Sequence, residues 1–439
     1  MSATPVGTET GALNLSSMEI NQKKKLVIVG GGFGGINLIK HLQKDARFDI
    51  TLVDRNNYHF FPPLLYQVST SFIEPSNISY PFRRMFQDRG HVHFFMGALL
   101  GIDPATNQVH TDHGSLGYDI LVLAMGTETN YFGMENLRQR ALPMKTIDDA
   151  LNLRNHLLLN VEEAARTTDP VEKAKRLNIV IAGGGATGVE ISGMIAEMGR
   201  HILLRDYPEI AGVKGNIYLV DAGPALLGPM SKQSQEEALK VLTELGVQVK
   251  SHTAVKDYAD NKVVFSNGES IDSHTLIWAS GVIAREVPGL PEKSTGRGRR
   301  IMVDAFNKTP GSENIYVIGD QCLLSGDAAY PDGHPQLAQV AIQQAALLAA
   351  NLKRQASGKS AKPFRYSNKG TMAIISKYKA VVDLPGFFFK GFPAWFVWLF
   401  IHIIPIAGYR NKAKLAFNWF WSFITDNPTL RLIIRPGKD

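Results

Sequence analysis

Cysteine is almost missing from this chain. Cys322 is the single one among 439 residues, so neither an intrachain disulfide nor a dithiol redox pair can form. A long apolar run is missing as well. The most apolar segment, residues 392–406, is interrupted by Pro393 and Pro405. As a helix its roughly 15 residues at about 1.5 Å each would reach about 22 Å, short of a hydrocarbon core of about 30 Å. Lysine and arginine number 47 against 40 acids, for a net charge of +7, but they are not gathered into a groove-like run. Nucleic acid is therefore not the implied partner, and the surplus suits anionic cofactors or an anionic membrane surface. His91-Val92-His93 and Asp112-His113 stand without further metal-like neighbours, so no metal site is expected. Residues 1–24 lack the apolar core of a secretory signal and the arginine richness of a presequence, and read as a disordered tail.

What the chain does have is one phosphate-cradling pattern used twice, Gly30-Gly31-Gly32-Phe33-Gly34-Gly35 and Gly183-Gly184-Gly185-Ala186-Thr187-Gly188. Each copy follows a short apolar β-branched run and leads into a helix-like stretch. In that context Gly30 and Gly183 permit a tight turn, Gly32 and Gly185 let backbone N–H groups approach a pyrophosphate, and Gly35 and Gly188 allow close helix–strand packing. Two dinucleotides are implied, and two dinucleotides in one enzyme usually pass electrons, because a nicotinamide supplies a hydride that a flavin can accept. Asp54 lies about twenty residues past the first cradle, where a carboxylate can accept from ribose hydroxyls. Asp221 ends the corresponding strand of the second copy, after an apparent insertion at residues 200–215. A carboxylate there would repel a 2′-phosphate, so NADH is favoured over NADPH.

Two further echoes keep register with the cradles. Ile120-Leu121-Val122-Leu123-Ala124-Met125-Gly126-Thr127 follows the first and Leu276-Ile277-Trp278-Ala279-Ser280-Gly281 the second, each a buried strand ending in small residues where backbone must lie against a ring or ribose. A third strand closes on Gly319-Asp320 and is expected to return to the first sheet. The fold expected is α/β, with two Rossmann-like dinucleotide-binding domains. The second, residues 141–299, is inserted in a first that comprises residues 25–140 and 300–365, and a C-terminal region follows at residues 366–439.

On these residues, with Asp54-Arg55-Asn56-Asn57-Tyr58-His59, Pro62-Pro63-Leu64-Leu65-Tyr66-Gln67, Gly188-Val189-Glu190, Ala338-Gln339-Val340-Ala341-Ile342-Gln343-Gln344 and Lys369-Gly370-Thr371-Met372-Ala373, the chain resembles the two-dinucleotide flavoproteins. Within them it is similar to the type II NADH dehydrogenases, the non-pumping NADH:quinone oxidoreductases of respiratory membranes. The resemblance spans residues 25–435. It implies that the first cradle and Asp54 hold FAD, that Ala124 and Thr127 lie near the flavin, and that Asp320 binds its ribityl chain. It implies NADH at Gly183, Gly185, Gly188 and Asp221, with Glu190 and Gly281 toward the nicotinamide. Gln339 and Gln343, four apart on one helix face, carry amides that can both donate to and accept from a quinone; the bland alternative is an exposed helix surface. Lys369 and Glu190 are candidates for the quinone or the proton path, or else ordinary salt-bridge partners. Relatives that work through paired cysteines, the dithiol and sulfide-oxidising enzymes, are set aside by the lone Cys322, which reads as a small buried residue.

The C-terminal region reads as a membrane anchor. Residues 392–406 are aromatic-rich; Tyr409-Arg410-Asn411-Lys412-Ala413-Lys414 follows, and then Ala413, Ala416, Phe417, Phe420 and Ile424 at helical spacing. Interfacial aromatics beside cations describe an amphipathic helix lying in the headgroup plane, the alternative being core or dimer-interface helices. The resemblance implies a homodimer, peripheral on the cytoplasmic face of the inner membrane, reducing a lipid quinone such as ubiquinone or menaquinone. A soluble NADH-dependent reductase of a protein or small acceptor would share both cradles, as would a regulatory flavoprotein without turnover.

Overall fold

The computed structural model describes residues 23–200, 204–213, 215–425 and 431–434. The tail expected at residues 1–24 lies almost wholly outside them; the first strand begins at Lys24.

Two parallel sheets of five strands carry the molecule, and four strands of each follow the same order, while the edge strand beside the return comes last in the chain in the first sheet and first in the second. In the first, the strands run Ile315–Val317, Ile120–Leu123, Lys24–Val29, Phe48–Asp54, Val92–Met96. In the second they run Leu142–Pro143, Thr275–Trp278, Ile179–Ala182, Ile217–Val220, Gln248–Lys250. Each cradle strand sits at the centre of its sheet, flanked by its acid-bearing strand on one side and its small-residue return on the other. The registers match too: Val29 lies opposite Leu123 and Ala182 opposite Trp278. Unbroken apolar runs such as Ile120–Leu123 are buried along their whole length, as a strand covered on both faces requires.

The strand Ile315–Val317 does return to the first sheet, beside Ile120–Leu123, with the second sheet built entirely from intervening residues. A short antiparallel ribbon, Thr127–Thr129 against Val282–Ala284, ties the two halves together. Each of its strands is the direct continuation of one return strand. Within the stretch read as an insertion, the described residues include the short helices Leu204–Asp206 and Pro208–Ile210, and Ile210 is packed with Val161 and Ala164.

After the helix Ala338–Gln355 comes a meander, Thr371–Ser376, Lys379–Leu384 and Phe387–Lys390. It docks on the second cradle helix, Ala186–Met198, where Gly193 faces the Ile375 carbonyl so closely that any Cβ would collide. Two helices follow, Phe392–Ile403 and Tyr409–Thr425. Sequence spacing put the apolar face of the second at Ala413, Ala416, Phe417, Phe420 and Ile424. The structure shows that this helix is apolar on two sides. Leu415 and Trp419 are buried in the core with Trp395 and Trp398, while Phe417, Phe420 and Trp421 stay exposed, as do Phe396, Phe400 and Ile404 on its neighbour. Spacing alone could not separate the docked face from the free one, because both are aromatic. Among the described residues no helix is long and apolar enough to cross a membrane.

Candidate functional site

The two cradles repeat one construction. Gly30 turns with φ at +108° and Gly183 at +112°, a region that glycine alone enters without strain. A Cβ at Gly35 would strike the Gly30 carbonyl, and one at Gly188 the Gly183 carbonyl, so the helix can approach its strand only with glycine there. Gly32 and Gly185 are the N-caps of the cradle helices, and nothing lies within 4 Å of where their side chains would be. That leaves the helix N-termini open to an anion.

Each acid closes its cradle from the next strand. Asp54 accepts the Gly31 N–H at 2.7 Å and the Asn56 N–H at 2.8 Å. Asp221 accepts the Gly184 N–H at 2.5 Å and the Gly223 N–H at 2.6 Å. Burial raises the pKa of the Asp54 carboxyl, and the two N–H donors oppose that. His59 braces the first cradle from outside: Nδ1 lies 2.9 Å from the Gly31 carbonyl, and since a carbonyl only accepts, Nδ1 carries the proton. Burial pushes this imidazole down to about 4, so it is neutral at physiological pH.

The first cradle opens into a cleft of about 720 Å³ that is also lined by Ala124, Met125, Gly126, Thr127, Gly319 and Asp320. Lys145, also in the lining, donates from Nζ to Thr127 Oγ1 at 2.6 Å. Burial lowers the Lys145 pKa and raises that of Asp320, while the opposite charges of the two draw each back toward the ionised form. Gln321 ties the small-residue turn to the domain-joining ribbon: its Oε1 accepts from Met125 N–H and its Nε2 donates to the Arg285 carbonyl. At the second domain, Gly281 turns with φ at +86° against the Phe132 ring, and Trp278 stacks on Tyr131 with ring centroids 5.9 Å apart.

The four residues singled out for catalysis fall outside the lining of that cleft, in two groups. Glu190 lies buried on the helix Ala186–Met198 and accepts from the Ile374 backbone, and burial raises its pKa well above the usual range. Its charge would act on the fully buried Tyr66 phenol, whose pKa is also raised, mostly by burial. Gln339, Gln343 and Lys369 are brought together. Gln339 donates to the Gly370 carbonyl at 3.0 Å and accepts from Lys369 N–H at 2.9 Å; Gln343 makes the same reciprocal pair with Ser367. The glutamine face thus grips the backbone that carries Lys369. Cys322 is buried, its Sγ meets Asn307 and Gln344, and burial pushes its thiol up to about 11. A group so reluctant to ionise is a poor nucleophile.

Lys145, Gln321, Arg285 and His59 were not assigned roles from the sequence. Lys145 lies two residues past the short strand Leu142–Pro143 and directly before the N-cap of a capping-box helix, where nothing distinguishes it from a solvated lysine. Only the fold sets it across from Asp320.

The model of the pyridine nucleotide-disulphide oxidoreductase family matches residues 24–345. The chain is 34% identical over 421 residues to the type II NADH:quinone oxidoreductase Ndh of Mycobacterium tuberculosis, covering 92% of this chain and 89% of that protein. It is 34% identical over 432 residues to NdhA of the same organism, covering 94% and 90%. The NDH2 structure from Plasmodium falciparum in complex with NADH superposes with a TM-score of 0.85 at 21% identity, covering 94% of this chain and all of that one.

Proposed function

Because the chain belongs to the pyridine nucleotide-disulphide oxidoreductases and, within them, to the type II NADH:quinone oxidoreductases, we propose a division of labour between its two cradles. The enzyme oxidises NADH and reduces a quinone. FAD belongs in the first cradle and NADH in the second. The observation that carries this assignment is the cleft: the first cradle opens into a cavity of about 720 Å³ that is also lined by the half-buried Lys145 and Asp320. Such a cavity fits a resident dinucleotide with a long ribityl–isoalloxazine arm. Its glycines put no side chain where the pyrophosphate would lie, and Asp54 stands where an adenosine ribose needs an acceptor.

When bound, FAD supplies the two-electron relay between nicotinamide and quinone. The chain's own residues do the holding. Gly30 makes the turn, Gly32 opens the helix N-terminus to the pyrophosphate and Gly35 lets the helix pack close, Ala124 and Thr127 let backbone lie against the ring system, and Asp320, balanced by Lys145, accepts from the ribityl hydroxyls. Gly183, Gly185, Gly188 and Asp221 hold NADH, and Gly281 keeps the nicotinamide side of the second domain clear of side chains. Glu190, whose pKa burial raises, is the carboxyl that can carry a proton toward the quinone. Lys369, held by Gln339 and Gln343, offers a cation to the reduced quinone. Catalytic power then comes chiefly from orientation.

The exposed rings of the two C-terminal helices seat the protein on the bilayer surface, which brings a lipid quinone within reach without a spanning segment. Mixing the flavin-loaded enzyme anaerobically with NADH and then with a short-chain quinone tests the reading. Bleaching followed by reoxidation supports it, and a yellow protein that NADH never bleaches overturns it.

A further inference from the structure

A second cleft, of about 680 Å³, lies where the C-terminal helix meets the first domain. Three cations face it from two elements: Arg84 from the short helix Phe82–Phe86, and Arg410 and Lys414 from the first turns of Tyr409–Thr425. All three are exposed, and none has an ion-pair partner among the described residues. Arg84 lies over the Tyr80 ring at 5.8 Å, which holds it toward the cleft. One carboxylate, Asp148, shares the lining, so cations outnumber it three to one. The walls are fixed: Asn411 donates to the Ser79 carbonyl at 2.8 Å, and Gly408 turns with φ at +83° directly against Tyr80.

The neighbouring surface points to the kind of anion. Arg410, Lys414, Phe417 and Trp421 follow one another at intervals of four, three and four residues, a single stripe along the helix. Its basic end opens on the cleft. Its other end, about 10 Å farther along, carries Phe417 and Trp421, stacked on each other and both exposed. A free anion would have no use for those rings, whereas a molecule with a charged head and an apolar tail would use both ends.

We propose that this cleft seats the phosphodiester headgroup of an anionic glycerophospholipid, with Arg84, Arg410 and Lys414 binding the phosphate oxygens and its acyl chains running over Phe417 and Trp421. The proposal takes its orientation from the membrane seating above. It adds a discrete, saturable lipid site to that seating, in place of diffuse surface attraction.

The test uses flavin-loaded full-length enzyme titrated with dihexanoylphosphatidylglycerol below its critical micelle concentration, with dihexanoylphosphatidylcholine and inorganic phosphate alongside. The anionic lipid should bind saturably at one per chain, and Arg84→Gln/Arg410→Gln should weaken it about 30-fold, from about fivefold per surface cation. Flavin content and turnover with a short-chain quinone should be unchanged. The control Lys44→Gln/Arg89→Gln removes two exposed cations outside the cleft and should bind as wild type. Lys414→Gln provides an independent variant and should weaken binding several-fold. Non-saturable binding, equal weakening by the control, or inorganic phosphate binding as tightly as the lipid would each overturn the headgroup site. Sedimentation with phosphatidylcholine vesicles separately tests the apolar seating: failure there with intact short-chain lipid binding sinks the seating and leaves the cleft.

Discussion

Replacing Asp221 by asparagine removes half of a two-pronged clamp. The native carboxylate accepts from Gly184 N–H at 2.5 Å and from Gly223 N–H at 2.6 Å. The amide has one oxygen, and its NH2 would point at a backbone donor, so one contact is lost and the other is no longer charge-assisted. Hydrogen bonds to charged groups contribute about 1.5–3 kcal/mol. At about 1.4 kcal/mol per tenfold, NADH should therefore bind roughly 10- to 150-fold more weakly. The second cradle alone should suffer, because the first is closed by Asp54. The assay is anaerobic stopped-flow bleaching of the flavin against NADH concentration, with released flavin measured in parallel. Asp221→Asn should keep its flavin and saturate at much higher NADH. The mirror variant, Asp54→Asn, should lose flavin while whatever fraction stays loaded binds NADH normally. Asp221→Arg should shift preference toward NADPH, but on a lower absolute affinity, since it abolishes both backbone contacts. An Asp221→Asn enzyme with NADH affinity within twofold of wild type would refute the reasoning, and so would flavin loss in proportion.

Gly188→Ala should leave a yellow enzyme that NADH reduces poorly, and Gly35→Ala a protein purified without flavin, because each new Cβ collides with the first carbonyl of its own cradle; absorbance spectra before and after NADH decide it. Burial lowers His59 and His402 to about 4 from an ordinary 6.5. Their contribution to stability is whole above pH 6.5 and is lost as pH falls through 4, about 3 kcal/mol for each over the window. Urea unfolding of wild type against His59→Asn across that range should show the difference shrinking with acid, and a constant difference would contradict it. Trp398→Ala, at a site 1% exposed, should cost about 3–5 kcal/mol and lower the melting temperature. Phe400→Ala, on the free face of the same helix, should change stability by less than about 0.5 kcal/mol yet weaken vesicle binding; the reverse pattern would show that the faces are misassigned.

Much of the site was readable before any coordinates. Gly30, Gly35, Gly183 and Gly188 are dictated by local backbone geometry, which is why a spacing pattern finds them. Asp54 follows from the length of a strand–helix–strand unit, and Asp221 from its place at the end of the corresponding strand, past the insertion. The single cysteine decided against thiol chemistry by simple counting. The symmetry of the two halves was legible because each cradle drags its own acid and its own small-residue return along the chain in the same order.

Lys145 facing Asp320, Gln321 bridging Met125 to Arg285, and the gathering of Gln339, Gln343 and Lys369 all depend on segments far apart in sequence meeting at a sheet end or a domain joint. Burial, which raises the pKa of Glu190 and lowers that of His59, is likewise a property of what packs over a residue. The same holds for the C-terminal helices, whose aromatic content was plain to read while the choice of docked side was not. Short-range patterns are encoded in stereochemistry and periodicity, so the chain by itself determined two dinucleotide cradles and their acids. Which rings are covered, which charges confront each other and which glutamines hold a loop were decided only when the two sheets and the meander came together, since those depend on contacts that no local rule specifies.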